Sequence, residues 1–292
     1  ADTVELHLYV CGTCSNSKGI ECNPIFRTIQ FSSGRTKNSF FEAIKTKIEQ
    51  RIFRPYFDDK LYIPDNILNE LSSLYKKHIF DAVMIHTPGL ARCLTAFPDN
   101  VYKIVDSIDI FIQRYLDFCK IGQGQILFHF RDLCREMRLY KSADLTIAIS
   151  LWDRDFMISH GISPIYVPVS FKPDPLPVKY PFEADILYAA GSGATNIDAI
   201  HFFINEVFPI VKVSEPKARF LILNPCKDIQ NTYSNRDGII MLPYVEKMGD
   251  AYKLADVVVV PLRAGSGLKI KVLESFALGK PTVLSSSAAQ GI

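Results

Sequence analysis

Short apolar runs alternate along the chain with stretches whose apolar residues recur every three to four positions. The runs VELHLYV (4–10), IFRTIQF (25–31), AVMIH (82–86), VYKIV (101–105) and DLTIAIS (144–150) predict strands. SFFEAIKTKIEQRIF (39–53) and NILNELSSLY (66–75) predict helices. Continuous apolar strands separated by helices predict a parallel sheet covered on both faces. The pattern stops between 168 and 181, where PVSFKPDPLPVKYP holds five prolines. Proline continues neither a helix nor a central strand, so this stretch predicts a stiff linker. Alternation then restarts with strands at ADILYAAG (184–191), ARFLILN (218–224), GIIMLP (238–243), DVVVVPL (256–262) and PTVLSS (281–286), and with a helix over about 196–213.

The expected fold class is therefore α/β, with two doubly wound Rossmann-like domains facing across a cleft. The boundaries are an N-terminal domain over 1–169, a proline-rich linker over 170–183 and a C-terminal domain over 184–292. Such folds bind ligands outside the carboxyl ends of their strands.

Composition narrows the partners. The 292 residues are 48% apolar and 22% charged, the profile of a globular protein. A net charge of +2 gives no electrostatic case for nucleic acid. No apolar run approaches the roughly 20 residues that span a bilayer. The opening ADTVELHLYV has no basic n-region, so no signal peptide is expected there. Seven scattered cysteines, an odd number, suit a reducing compartment better than a disulfide framework. Cys11-Gly-Thr-Cys14 follows a strand-like run, but the chain continues as loop where a redox motif needs a helix. With Cys22 and His7 it has no familiar zinc spacing.

The stretch PLRAGSGLKIKVLESFALGKP (261–281) carries the most chemistry. Gly265 and Gly267 allow a tight turn and close approach to a ligand. The helix expected after them offers free N–H groups and the positive end of a dipole. On a helical wheel Gly267, Lys271 and Glu274 share one stripe, and Leu268, Val272 and Phe276 form a neighbouring stripe expected to pack on the sheet. Lys269 points to another side. The first stripe matches a nucleotide sugar, with diphosphate on the N–H groups and Lys271 and ribose hydroxyls on Glu274. It equally matches a solvated lysine–glutamate pair.

From Pro261 to Glu274, with GKPTVLSS after it, the chain resembles the nucleotide-sugar signature of retaining GT-B glycosyltransferases of family four. ILYAAGSGATNIDAIHFFINEVFPIV (186–211) resembles the opening of that family's donor domain. ADLTIAIS and GISPIYVPVS resemble the end of its acceptor domain, and Asp106, Asp109 and Arg114 sit where relatives carry a similar cluster. The resemblance implies donor contacts at Gly191, Gly265, Ser266, Gly267, Leu268, Lys271 and Glu274, and catalytic roles for Lys271 and His86. Where the wider family has the first of two glutamates this chain has Ser266, as does a branch of that family.

The activity implied is transfer of a hexose, with retention, from a nucleotide-diphosphate sugar to a saccharide or lipid-linked acceptor. No metal or other cofactor is expected. The location implied is cytoplasmic, with peripheral membrane contact left open. Alternatives are a non-catalytic nucleotide-sugar-binding homologue, or an epimerase or phosphorylase of the same fold. Relatives extend beyond both ends of the matched region, so the chain is expected to be a fragment.

Four further features are weighed. His86 ends the strand AVMIH before Thr87-Pro88-Gly89, which places it at the sheet's carboxyl edge; the alternative is a histidine capping the next helix. The histidines at 7, 78, 129, 160 and 201 are expected to be structural. Asp153-Arg-Asp155 has the form of a metal-binding pair, but Ser150 before it makes a helix start the better reading. Lys45, Lys47, Arg51 and Arg54 do not gather on one helical face, so a solvated surface is expected there.

Overall fold

The structure, a computed structural model, describes residues 6–10, 26–31, 63–121, 130–177, 183–191 and 193–292. The Cys11–Cys14 pair, Cys22, the expected helix over 39–53 and His129 lie outside the described residues. The chain divides into two compact units. One takes in residues 1–106 and 126–146, the other 107–125 and 147–292.

The first strands are β1 (Leu6–Val10) and β2 (Phe26–Phe31), a parallel pair. Helix α1 (Asp65–Lys77) follows, then β3 (Ala82–His86), a 3-10 stretch (Pro88–Ala96) and β4 (Tyr102–Ser107). Strands β3 and β4 are parallel, with His86 opposite Asp106. Helices α2 (Phe111–Lys120) and α3 (Phe130–Lys141) lead to β5 (Leu145–Ala148), α4 (Leu151–Ser159) and the short β6 (Ile165–Tyr166). The four-stranded sheet runs β3-β4-β5-β6. At the start of α4 the Ser150 hydroxyl accepts the Asp153 N–H and donates to its carboxylate, so Asp153 is part of a buried helix cap.

The second sheet runs β11-β10-β7-β8-β9 and is parallel throughout. Its strands are β7 (Asp185–Ala189), β8 (Arg219–Leu223), β9 (Ile239–Leu242), β10 (Val257–Val260) and β11 (Thr282–Leu284). Most positions of β7, β8 and β10 are buried, as continuous apolar runs demand of a sheet covered on both sides. In β3, by contrast, Ile85 alone is buried and Met84 is exposed.

Helix α5 (Ala194–Phe202) widens into a π turn (Phe203–Val207) and resumes as α6 (Phe208–Ser214). The cause is Pro209, which has no N–H to give and whose ring needs room beside the preceding turn. Phe203 and Phe208 from this region pack with Phe220 of β8, and Tyr188 of β7 is fully buried beside them in the same core. Helices α7 (Lys227–Tyr233), α8 (Met248–Lys253), α9 (Ile270–Ala277) and α10 (Ser286–Ala289) complete the unit.

Two sequence expectations change in detail. The proline-rich stretch has no regular secondary structure over its described part, yet it is docked: the N–H groups of Asp174 and Leu176 donate to the carbonyls of Ala277 and Leu278 at the end of α9. And α9 turns Val272 and Ser275 inward while Phe276 is exposed, so the expected Leu268–Val272–Phe276 stripe is incorrect. Leu268 precedes the helix start at Ile270, and Ser275 instead faces the sheet, where its hydroxyl accepts from Thr282. Among the described residues no helix is long and apolar enough to cross a membrane.

Candidate functional site

In the five-stranded sheet the chain runs outward from β7 in both directions, to β8 and β9 on one side and to β10 and β11 on the other. The connections leaving β7 and β10 therefore diverge, and such a switch point leaves a crevice outside the strand ends. A pocket of about 370 Å³ lies there, lined by Gly191 after β7, Asn196 of α5, Asn224 after β8, Tyr244 after β9, and Ile270, Lys271 and Glu274 of α9.

Lys271 is the main charged group of this pocket. Its Nζ donates to Asn196 Oδ1 at 2.7 Å and to the Tyr188 hydroxyl at 3.3 Å, and lies 4.6 Å from the Tyr188 ring centroid. The Tyr188 hydroxyl in turn donates to Asn196 Oδ1 at 2.7 Å. Both acceptors are neutral, and Lys271 has no carboxylate partner among the described residues. An ammonium has three donors, so one N–H is left over. Burial alone lowers the Lys271 pKa to about 8.

Glu274 stands one turn further along α9. Burial raises its pKa, and a hydrogen bond from the Tyr252 hydroxyl to Oε2, at 3.3 Å, opposes that rise. The Tyr252 hydroxyl is also 3.3 Å from the Lys271 carbonyl oxygen, so one buried phenol ties both residues to α8. Burial and the Glu274 charge push the Tyr252 pKa up, keeping it a donor.

The glycine turn is anchored rather than loose. Arg263 forms a bidentate pair with buried Asp198 and lies over the Phe202 ring. The Ser287 hydroxyl donates to the Arg263 carbonyl at 3.1 Å. Gly265 (φ +133°) and Gly267 (φ +71°) adopt conformations that other residues resist. A Cβ on Gly267 would lie 2.8 Å from the Ile108 carbonyl oxygen, so here the missing side chain admits a neighbouring backbone. Among the described residues the N–H groups of Ser266, Gly267 and Leu268 have no acceptor, and the buried Ser266 hydroxyl has no partner.

Of the positions singled out in the sequence, Gly191, Lys271 and Glu274 line the pocket together, whereas Gly265, Ser266, Gly267 and Leu268 form the turn leading into α9 and do not line it. His86 belongs to the other unit. Its Nδ1 lies 2.7 Å from Asp106 Oδ2, and Thr87 after it has φ +88°, a strained value for a β-branched residue. The 3-10 stretch that follows has no side-chain cap, so the His86 ring bonds Asp106 rather than a helix end.

Sequence reasoning missed Asn196, Tyr188 and Tyr252. The last two carried a signal, since a tyrosine in an apolar run needs a partner for its hydroxyl. Among the described residues no group of three or more His, Cys, Asp or Glu side chains converges as a metal site.

The fold and site define an open parallel α/β unit with a pocket at its switch point, lined by Lys271 and Glu274. Residues 183–292 match the family model for glycosyl transferases group 1. Several solved structures share the fold. TarM of S. aureus is 15% identical at a TM-score of 0.59, over 75% of this chain and 44% of its own. Sucrose-phosphate synthase from Thermosynechococcus elongatus is 14% identical at a TM-score of 0.68, over 96% of this chain and 71% of its own. Anabaena HepE, solved in complex with UDP and glucose, is 13% identical at 0.61, over 97% and 81%. This chain thus spans less than half the length of TarM. No curated protein matches it.

Proposed function

We propose that the pocket beside α9 binds a nucleotide-diphosphate sugar and that the chain is the core of a glycosyltransferase. One observation carries the reading: a partly buried ammonium, Lys271, lines the switch-point pocket with neutral partners and a donor to spare. A cation held that way is expensive to bury and gains most from an incoming anion. A diphosphate supplies the anion, and Glu274, on the same face of the helix, can accept from a vicinal diol such as that of ribose. The family match over 183–292 and the UDP held by HepE support the same class of ligand.

In the transfer step the bond between the sugar's anomeric carbon and the diphosphate oxygen breaks, and the electron pair stays on the diphosphate. Lys271 stabilises that developing charge. An acceptor hydroxyl forms the new bond on the same face, and its proton passes to the departing diphosphate, so the configuration is retained. The sugar is read as a hexose and the acceptor as a saccharide or lipid-linked saccharide.

Titration of UDP, GDP and ADP into the protein and into Lys271→Ala and Glu274→Ala tests the site. Each variant should lose about 1.5–3 kcal/mol of affinity for the preferred nucleotide, the size of a charge-assisted hydrogen bond. Unchanged binding by both variants would remove the site from α9. Binding without turnover of any nucleotide sugar would favour a non-catalytic homologue, a reading that Ser266 in place of a family glutamate also favours.

A further inference from the structure

The turn between Ala264 and Ile270 is gripped by two charged side chains that the donor pocket does not use. Gly265 donates its N–H to Asp117 Oδ2 at 3.3 Å, and its carbonyl accepts from Lys269 Nζ at 2.7 Å. Both peptide groups that flank this glycine are therefore held. Lys269 is 7% exposed, and the carboxylates of Asp117 and Asp153 both act on its charge. Gly267 rests against the Ile108 carbonyl on the same side. The N–H groups of Ser266, Gly267 and Leu268 are left without acceptors among the described residues.

A glycine turn loses more backbone freedom on ordering than any other, and a ligand that must order it binds more weakly by that cost. Donors fixed in advance act at full strength. We infer that Lys269 and Asp117 are positioning residues for the donor site: by holding the carbonyl and the amide of Gly265 they fix the turn that starts α9, and with it the place of the Lys271 ammonium in the pocket. The inference rests on the donor reading of the α9 pocket. It separates two lysines of one turn into a ligand contact, Lys271, and a clamp, Lys269.

The competing explanation is that Lys269 only balances the charge of its carboxylates, and a double-variant cycle on the full chain divides the two. Lys269→Met should lower the melting temperature, because it removes the cation that faces Asp117 and Asp153, and should weaken nucleoside diphosphate binding about tenfold. Adding Asp117→Asn removes one of those two negative charges and should return the melting temperature toward the parent value while affinity stays low. Amide exchange over 264–268 should be faster than in the parent in both forms. Recovery of affinity together with the melting temperature would overturn the inference, as would parental affinity or parental exchange in Lys269→Met. If Lys269→Met does not fold, Asp117→Leu alone, which removes the acceptor of the Gly265 N–H, gives the same readouts, and parental affinity and exchange in it sink the clamp. Failure of the donor reading looks different, because then the parent itself binds none of UDP, GDP and ADP.

Discussion

Lys269 and Lys271 stand two residues apart at the start of one helix, and burial lowers both to a pKa of about 8. Their surroundings have little else in common. Lys269 donates to a backbone carbonyl and faces two carboxylates, which pull its pKa back up against burial. Lys271 has an amide oxygen and a phenol, and nothing offsets the burial. The first lysine is neutralised by the protein and the second is not. The difference teaches that residue type and burial do not tell the two lysines apart; the counter-charge does.

The comparison breaks most severely if Lys271 is given a counter-ion of its own. Asn196→Asp places a carboxylate where the amide oxygen now sits, 2.7 Å from Nζ. Nucleoside diphosphate affinity should fall by about 2–3 kcal/mol, and the melting temperature at neutral pH should rise. Tighter nucleotide binding by this variant would contradict the assignment of Lys271. Next in size is Gly267→Ala, which forces a side chain into a left-handed conformation against the Ile108 carbonyl. A loss of about 2 kcal/mol of stability is expected, read by chemical denaturation.

The pH dependence should separate binding from stability. Both lysines bind protons more weakly folded than unfolded, so between pH about 8 and the ordinary 10.5 the unfolded chain holds more protons. Their contribution to stability therefore rises as pH increases through that window. Diphosphate affinity should move the other way, falling by about 1 kcal/mol from pH 7 to 9 as Lys271 loses its charge. Parallel trends in the two measurements would count against an uncompensated Lys271. The smallest effect is expected for Tyr252→Phe, which removes the long hydrogen bonds to Glu274 and to the Lys271 carbonyl. About 1 kcal/mol of stability should be lost, with nucleotide affinity changed by less than that.

Much of the fold was legible in the chain. Runs such as VVVV in β10 and RFLIL in β8 are too apolar for anything but a covered strand, and the proline stretch marks where alternation stops. The spacing of Lys271 and Glu274 was legible because both lie on one short helix, where three positions make one face. The partners of Lys271 were not, because Tyr188 and Asn196 come from another strand and helix, 83 and 75 positions away. Phe276 misled for a local reason: the helix begins after Leu268, so a stripe counted from that residue turns away from the sheet. The π turn at Phe203–Val207 had a visible cause in Pro209, but a proline predicts only a disturbance and not which kind.

The bond from Gly265 to Asp117 joins positions 148 residues apart. Contacts of that span close late, since a long loop must be gathered before they form. During synthesis Asp117 leaves the ribosome well before the turn exists. The glycine turn thus takes its final shape only after the strands on either side have found their places. Slow folding of this protein should show itself in a late gain of nucleotide binding, after the sheets have acquired their secondary structure.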